Sequence, residues 1–103
     1  MSILVLGSRE VVAAFAMGGM RGRAVGDPAE IRAALREAVV AGPEPVRVLV
    51  VEETAAESVR SDIERLKLDP EGPLVVEVAG VRGPHERRKS PLQLVQEALG
   101  IRI

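Results

Sequence analysis

The chain has 103 residues, enough for one domain and too few for two. Hydrophobic residues make up 47% of it and Phe15 is its single aromatic, so the core must be built from small aliphatic side chains, which suits helices layered on a sheet. A net charge of −1 lacks the basic footprint of a nucleic-acid binder, one aromatic cannot form a stacking platform for single strands, and the lack of cysteine excludes disulfides, thiolate metal sites and Cys nucleophiles.

The first apolar run, Ile3-Leu4-Val5-Leu6, predicts a strand with no basic stretch ahead of it, so no signal peptide is expected. Ser8 then stands as the N-cap of a helix carrying Val12, Phe15 and Ala16 and ended by Gly18-Gly19. Arg23-Ala24-Val25 is short and weak, as an edge strand would be. Asp27-Pro28-Ala29-Glu30 offers a capping acid, a proline at the first helical position and a Glu three residues after the cap. Ile31, Ala34, Leu35, Ala38 and Val39 follow on one helical face, and Gly42-Pro43 ends it. The second strong run is Val46 to Val51. Thr54-Ala55-Ala56-Glu57 reads as another capping box, with Val59, Ile63 and Leu66 as the stripe behind it. Asp69-Pro70-Glu71-Gly72 is a turn into the third run, Leu74 to Val78.

These runs are β-branched and nearly continuous, as in strands of a parallel sheet buried on both faces. The order β-α-β-α-β-α-β with right-handed crossovers puts helices on both faces. The first and third strands are the most apolar and belong in the centre. The expected fold is therefore α/β with a four-stranded parallel sheet in the order 2-1-3-4, the flavodoxin-like arrangement. No apolar run reaches the roughly 18 residues of a membrane span. The expectation is a cytoplasmic protein without direct membrane insertion.

The expected sheet unit is 1–79. Residues 80–103 add a loop and a C-terminal helix to the same domain. The loop holds Gly83-Pro84 and His85-Glu86-Arg87-Arg88-Lys89, and Ser90-Pro91-Leu92-Gln93 opens the helix with a capping box. Leu92, Leu94, Val95, Ala98 and Leu99 spread over roughly 160° of its circumference, against about 100° for a one-sided surface helix. Either this helix packs entirely on its own domain, or the flank of Leu94 and Ala98 meets a partner. Gly100 ends it, and Ile101 and Ile103 form an apolar tail.

Ligands of such sheets bind beyond the carboxyl ends of the strands, here at Gly7-Ser8-Arg9-Glu10 and Glu52-Glu53-Thr54. The chemistry there is sparse. Gly7 is followed by no glycine until Gly18, which breaks the G-x-G-x-x-G dinucleotide pattern, and no Gly-Lys-Ser/Thr exists for a phosphate loop. A receiver domain has this size and topology but needs an acidic cluster after its first strand and an Asp ending its third. This chain has Leu6-Gly7-Ser8 and Val51-Glu52-Glu53. Glu52 and Glu53 read as the first turn of a helix, where acids complement the dipole. The single histidine, His85, lacks metal-ligand neighbours. Arg87-Arg88-Lys89 is either a solvated loop or a dock for an acidic partner. No catalytic residue, cofactor site or metal site is assigned.

Along its whole length the chain resembles the F subunits of the V-type and A-type rotary ATPases. The opening Ile3-Leu4-Val5-Leu6-Gly7-Ser8-Arg9 is similar to that family's first strand and turn. Phe15-Ala16-Met17-Gly18-Gly19-Met20 resembles its G-F-x-L-x-G-V segment, and Val50-Val51-Glu52-Glu53-Thr54-Ala55 its strand ending in T-E-E. Pro73 to Val78 with Gly80 and Gly83-Pro84 resembles P-x-I-x-x-I-P-G…G-P. Leu94-Val95-Gln96-Glu97-Ala98-Leu99-Gly100-Ile101 matches the L-V-x-x-A-I-G-I/V close. Ala14 and Ala79 stand where the family has Gly and Pro, and Pro91 falls early in the last helix. The resemblance implies a non-catalytic central-stalk component without a cofactor. It would bind the coiled-coil D subunit and turn inside the ring of A and B subunits, in a complex that couples ATP hydrolysis or synthesis to ion movement. It also implies a mobile C-terminal helix. The residues expected at a partner interface, read from the basic run, the flank of that helix and the apolar tail, are Arg87, Arg88, Leu94, Ala98 and Ile101. Two other readings of the residues stay open at this point: a degenerate receiver-like domain that binds a protein, and a flavodoxin-like domain that binds a small molecule.

Overall fold

The computed structural model describes residues 2–39 and 44–80. Four strands, β1 (Ile3–Gly7), β2 (Arg21–Ala24), β3 (Val48–Glu52) and β4 (Leu74–Val78), form one parallel sheet in the order β2-β1-β3-β4. They alternate with α1 (Arg9–Ala16), α2 (Pro28–Val39) and the pair α3 (Glu53–Ser58) and α4 (Arg60–Leu68). This is the expected flavodoxin-like architecture. The two most apolar strands, β1 and β3, are central and the most deeply buried. The expected C-terminal helix and the 80–103 unit lie, apart from Gly80, outside the described residues, as does the expected Gly42-Pro43 stop of α2.

Alternation along each strand divides the core in two. Leu6 of β1 and Leu49 and Val51 of β3 point to the face covered by α2, α3 and α4. There they meet Ile31, Ala34, Leu35, Ala38, Ala56, Val59 and Ile63. Val5 and Val50 point the other way, toward Val11, Val12 and Phe15 of α1. That second cluster is smaller because α1 has only eight residues and lies over β1 and β2. The result departs from the expectation that the run 74–78 is buried on both faces. β4 is an edge strand, and Leu74 and Val76 are 65% and 39% exposed.

Local chemistry sets most helix boundaries. Asp27 Oδ1 accepts the Glu30 N–H at 2.8 Å, the expected cap of α2. Ser8 Oγ accepts the Val11 N–H at 3.4 Å and starts α1. The buried residue of α1 is Val11, and Ala16 is exposed, which corrects the expected stripe. Gly19 has φ +84°, the left-handed turn after α1 that glycine adopts at little cost. β2 begins two residues before the expected Arg23 and ends at Ala24. A Cβ at Gly22 would stand 2.8 Å from a Val12 methyl, so this glycine lets α1 pack closely on the edge strand.

The expected Thr54 cap is corrected too. The residue preceding α3 is Glu52, extended at φ −63° and ψ 140°, and the helix begins at Glu53. The single expected helix is also split. Val59, at φ −132° and ψ 41°, leaves helical geometry, while the Ser58 hydroxyl donates to the Ala55 carbonyl at 2.8 Å. Val59 and Ile63 are still buried as the stripe requires.

Candidate functional site

The carboxyl ends of β1, β3 and β4 converge on Glu52. It closes a strand whose Leu49, Val50 and Val51 are buried, and it is itself only 8% exposed. Its Oε1 accepts the Ser8 N–H at 2.8 Å and its Oε2 accepts the Thr54 hydroxyl at 3.2 Å. The backbone on both sides is glycine. A Cβ at Gly7 would lie 2.8 Å from Oε1, and one at Gly80 would lie 2.6 Å from Oε2. Neither glycine has a left-handed φ, so each is required for space alone.

This arrangement fills the place where a ligand would bind. The backbone amides at the start of α1 would suit an anion. One of them, the Ser8 N–H, already serves an internal carboxylate. A phosphate arriving there would have to displace Glu52 or tolerate its charge. A carboxylate does end β3, as in a receiver domain, but it is buried and hydrogen-bonded inward.

Sequence reasoning placed Glu52 in the first turn of a helix and missed this role. The available signal was a charged residue following directly on a fully apolar strand, with glycines ending β1 and following β4. Glu53, by contrast, does lie in the first turn of α3.

A second cluster joins α4 to β4. Arg60 grips Glu77 in a two-pronged contact, Nη1 to Oε2 at 2.7 Å and Nη2 to Oε1 at 2.8 Å. Lys67 Nζ adds a bond to Oε2 at 2.8 Å, and Arg60 also reaches Glu57 at 2.7 Å. The hydrogen bonds from Arg60, aided by Lys67 and opposed by burial, hold the Glu77 carboxyl at about 2, well below its ordinary value. The same contact with Glu77, followed by that with Glu57, raises Arg60. The cluster is a structural clamp on an edge strand.

The expected interface residues Arg87, Arg88, Leu94, Ala98 and Ile101 lie outside the described residues, as does His85. Residues 3–95 match the family described as ATP synthase (F/14-kDa) subunit. The chain belongs to that family. It is similar to the F subunit of the A-type ATP synthase of Methanothermobacter thermautotrophicus, with 29% identity over 104 residues, covering 99% of this chain and 95% of that protein. The family match starts on β1 and runs past the described core, in agreement with the whole-length resemblance in the sequence. In this ATP synthase F/14-kDa family member, a buried carboxylate of the chain itself takes up the Ser8 amide at the end of the sheet where flavodoxin-like folds bind ligands.

Proposed function

We propose that this protein is a non-catalytic central-stalk component of an A/V-type rotary ATPase. It binds the coiled-coil D subunit, turns with it inside the ring of A and B subunits, and modulates ATP hydrolysis and synthesis coupled to ion transport. The observation that carries this reading is the family match over residues 3–95. The inward-facing Glu52 supports it, because it fills the ligand end of the sheet and leaves the fold its surfaces to work with. Among the described residues no helix is long and apolar enough to cross a membrane. The proposal puts the chain on the cytoplasmic side, peripheral to the membrane, as part of the larger complex.

The reading gives residues 80–103 a working part. The sheet face beside α1 has an exposed apolar strip at Leu74 and Val76 of β4, while Val78 packs against the cluster of Val5, Val11 and Val50. A nine-residue helix at 91–99 would be about 13.5 Å long, close to the roughly 17 Å of a five-residue strand. We assign this strip to the 91–99 segment in one state. In another state Leu94, Ala98 and Ile101, with Arg87 and Arg88, meet the D subunit. The test is reassembly of the ATPase from D, A, B and this chain, full-length or lacking 91–103. The full chain should copurify with D. The truncated chain should fold and give a complex whose ATP hydrolysis rate differs from that of the full-length complex. Identical hydrolysis by both complexes defeats the role given to the tail.

A further inference from the structure

The opposite face of the molecule carries a second surface. α2 and α4 lie side by side and are bridged where Arg32 Nε donates to Asp62 Oδ2 at 3.2 Å. Next to this bridge an open groove of about 500 Å³ runs between the two helices. Its floor is apolar: Leu35 is buried, Leu66 is half-buried and Val39 is 48% exposed. Along α2, Leu35 and Val39 are one turn apart, as are Arg32 and Arg36, so the groove has a repeat of about 5.4 Å.

Its charge is unbalanced. Arg32, Arg36 and Arg65 stand on its walls. Asp62 serves two of them, Arg32 at 3.2 Å and Arg65 at 3.9 Å. The other acid, Asp69, uses Oδ1 to accept the Glu71 N–H at 2.9 Å and so is held to its own turn. Arg36 has no carboxylate partner among the described residues. Arg65 is 78% exposed, and 3.9 Å is a loose contact for an ion pair. An apolar floor between walls with one more arginine than aspartate, and with Arg36 and the exposed Arg65 reaching outward, is complementary to one kind of surface, a helix with an apolar stripe flanked by carboxylates.

We propose that the α2–α4 groove docks an acidic amphipathic helix from another component of the ATPase. The helix lays its apolar stripe on Leu35, Val39 and Leu66, and its carboxylates pair with Arg36 and Arg65. This rests on the stalk reading and adds a contact on the sheet face away from the β4 strip. The Arg side chains give orientation and association rate, and the floor gives residence time.

Full-length protein is added back to an ATPase assembled without it, and affinity is read at low and high salt. Wild type, R36E/R65E and the charge-keeping R36K/R65K are compared, with a photo-crosslinker at Val39. Both arginines are exposed, so the variants should fold. The groove predicts at least a tenfold loss of affinity for R36E/R65E at low salt. It predicts a smaller loss at high salt, near-normal binding of R36K/R65K, and crosslinks into a carboxylate-rich helix of one other component. Normal binding of R36E/R65E overturns the groove, as do crosslinks into a second copy of this chain, into its own tail or into lipid. Wild type that never joins the complex overturns the stalk reading and removes the groove's partner with it.

Discussion

Glu52 shows how much one side chain can decide. Burying a carboxylate costs several kcal/mol unless its oxygens find donors. Here the donors are the Ser8 amide and the Thr54 hydroxyl, and the room is made by leaving out two β-carbons, at Gly7 and Gly80. Gly80→Ala puts a methyl 2.6 Å from Oε2 and 3.2 Å from Cδ. It should cost about 1–3 kcal/mol of stability, the usual range for overpacking a tight site. In a Glu52→Ala background the same change should cost much less, because the obstacle is gone. Urea unfolding of the four proteins in the cycle measures the coupling. Equal costs in the two backgrounds would mean that the close approach has no energetic weight. The residue string offered only the apolar run ending in Glu52 and the flanking glycines as a hint, because the two glycines come within reach of Glu52 only once β1, β3 and β4 lie side by side.

At the scale of elements, the sequence was most informative where local chemistry acts alone. Asp27-Pro28 and Ser8 mark helix starts because a cap needs only the next three residues. The runs of β1 and β3 marked central strands because burial on both faces leaves no polar alternation. The weak edge strand was recognisable, though its bounds moved. The failures came from tertiary packing. Val59 breaks a helix that propensity would continue, and β4 is apolar yet exposed because α1 is too short and too far over to cover it. β4 is instead held to α4 by the clamp of Arg60 and Lys67 on Glu77.

That clamp makes a pH prediction. The folded Glu77 carboxyl titrates at about 2 and its ordinary value is 4.5, so folding lowers it. Its contribution is therefore complete above about pH 4.5 and is lost as the pH falls toward 2. Arg60 and Lys67 are about one-third exposed, so solvent screens part of the effect. Glu77→Gln should lower stability at pH 7 by about 1–2 kcal/mol and flatten the loss of stability between pH 4.5 and 2. Thermal unfolding across that window checks it. An acid slope that Glu77→Gln leaves unchanged would show that the clamp does not control β4.

Among the described residues the molecule is a four-stranded parallel sheet with a buried carboxylate at its ligand end, and two of its surfaces are proposed here to meet other segments. One is the apolar strip beside β4. The other is the cationic groove between α2 and α4, on the opposite face. The fold could be inferred from pattern alone. The site at Glu52 could not, because it depends on three strands meeting, while the expected interface residues Arg87, Arg88, Leu94, Ala98 and Ile101, taken from the basic run and the apolar flank of the last helix, lie outside the described residues.

The central claim, that this chain is part of the rotor, can be observed directly. The sequence has no cysteine, and Met17 is 91% exposed in the turn after α1, so Met17→Cys gives a single exposed attachment point. A bead attached there, on a complex immobilised through its ring of A and B subunits, should turn in one direction when ATP is supplied and stop when hydrolysis is blocked. A bead that stays fixed while the same complexes hydrolyse ATP would contradict the account.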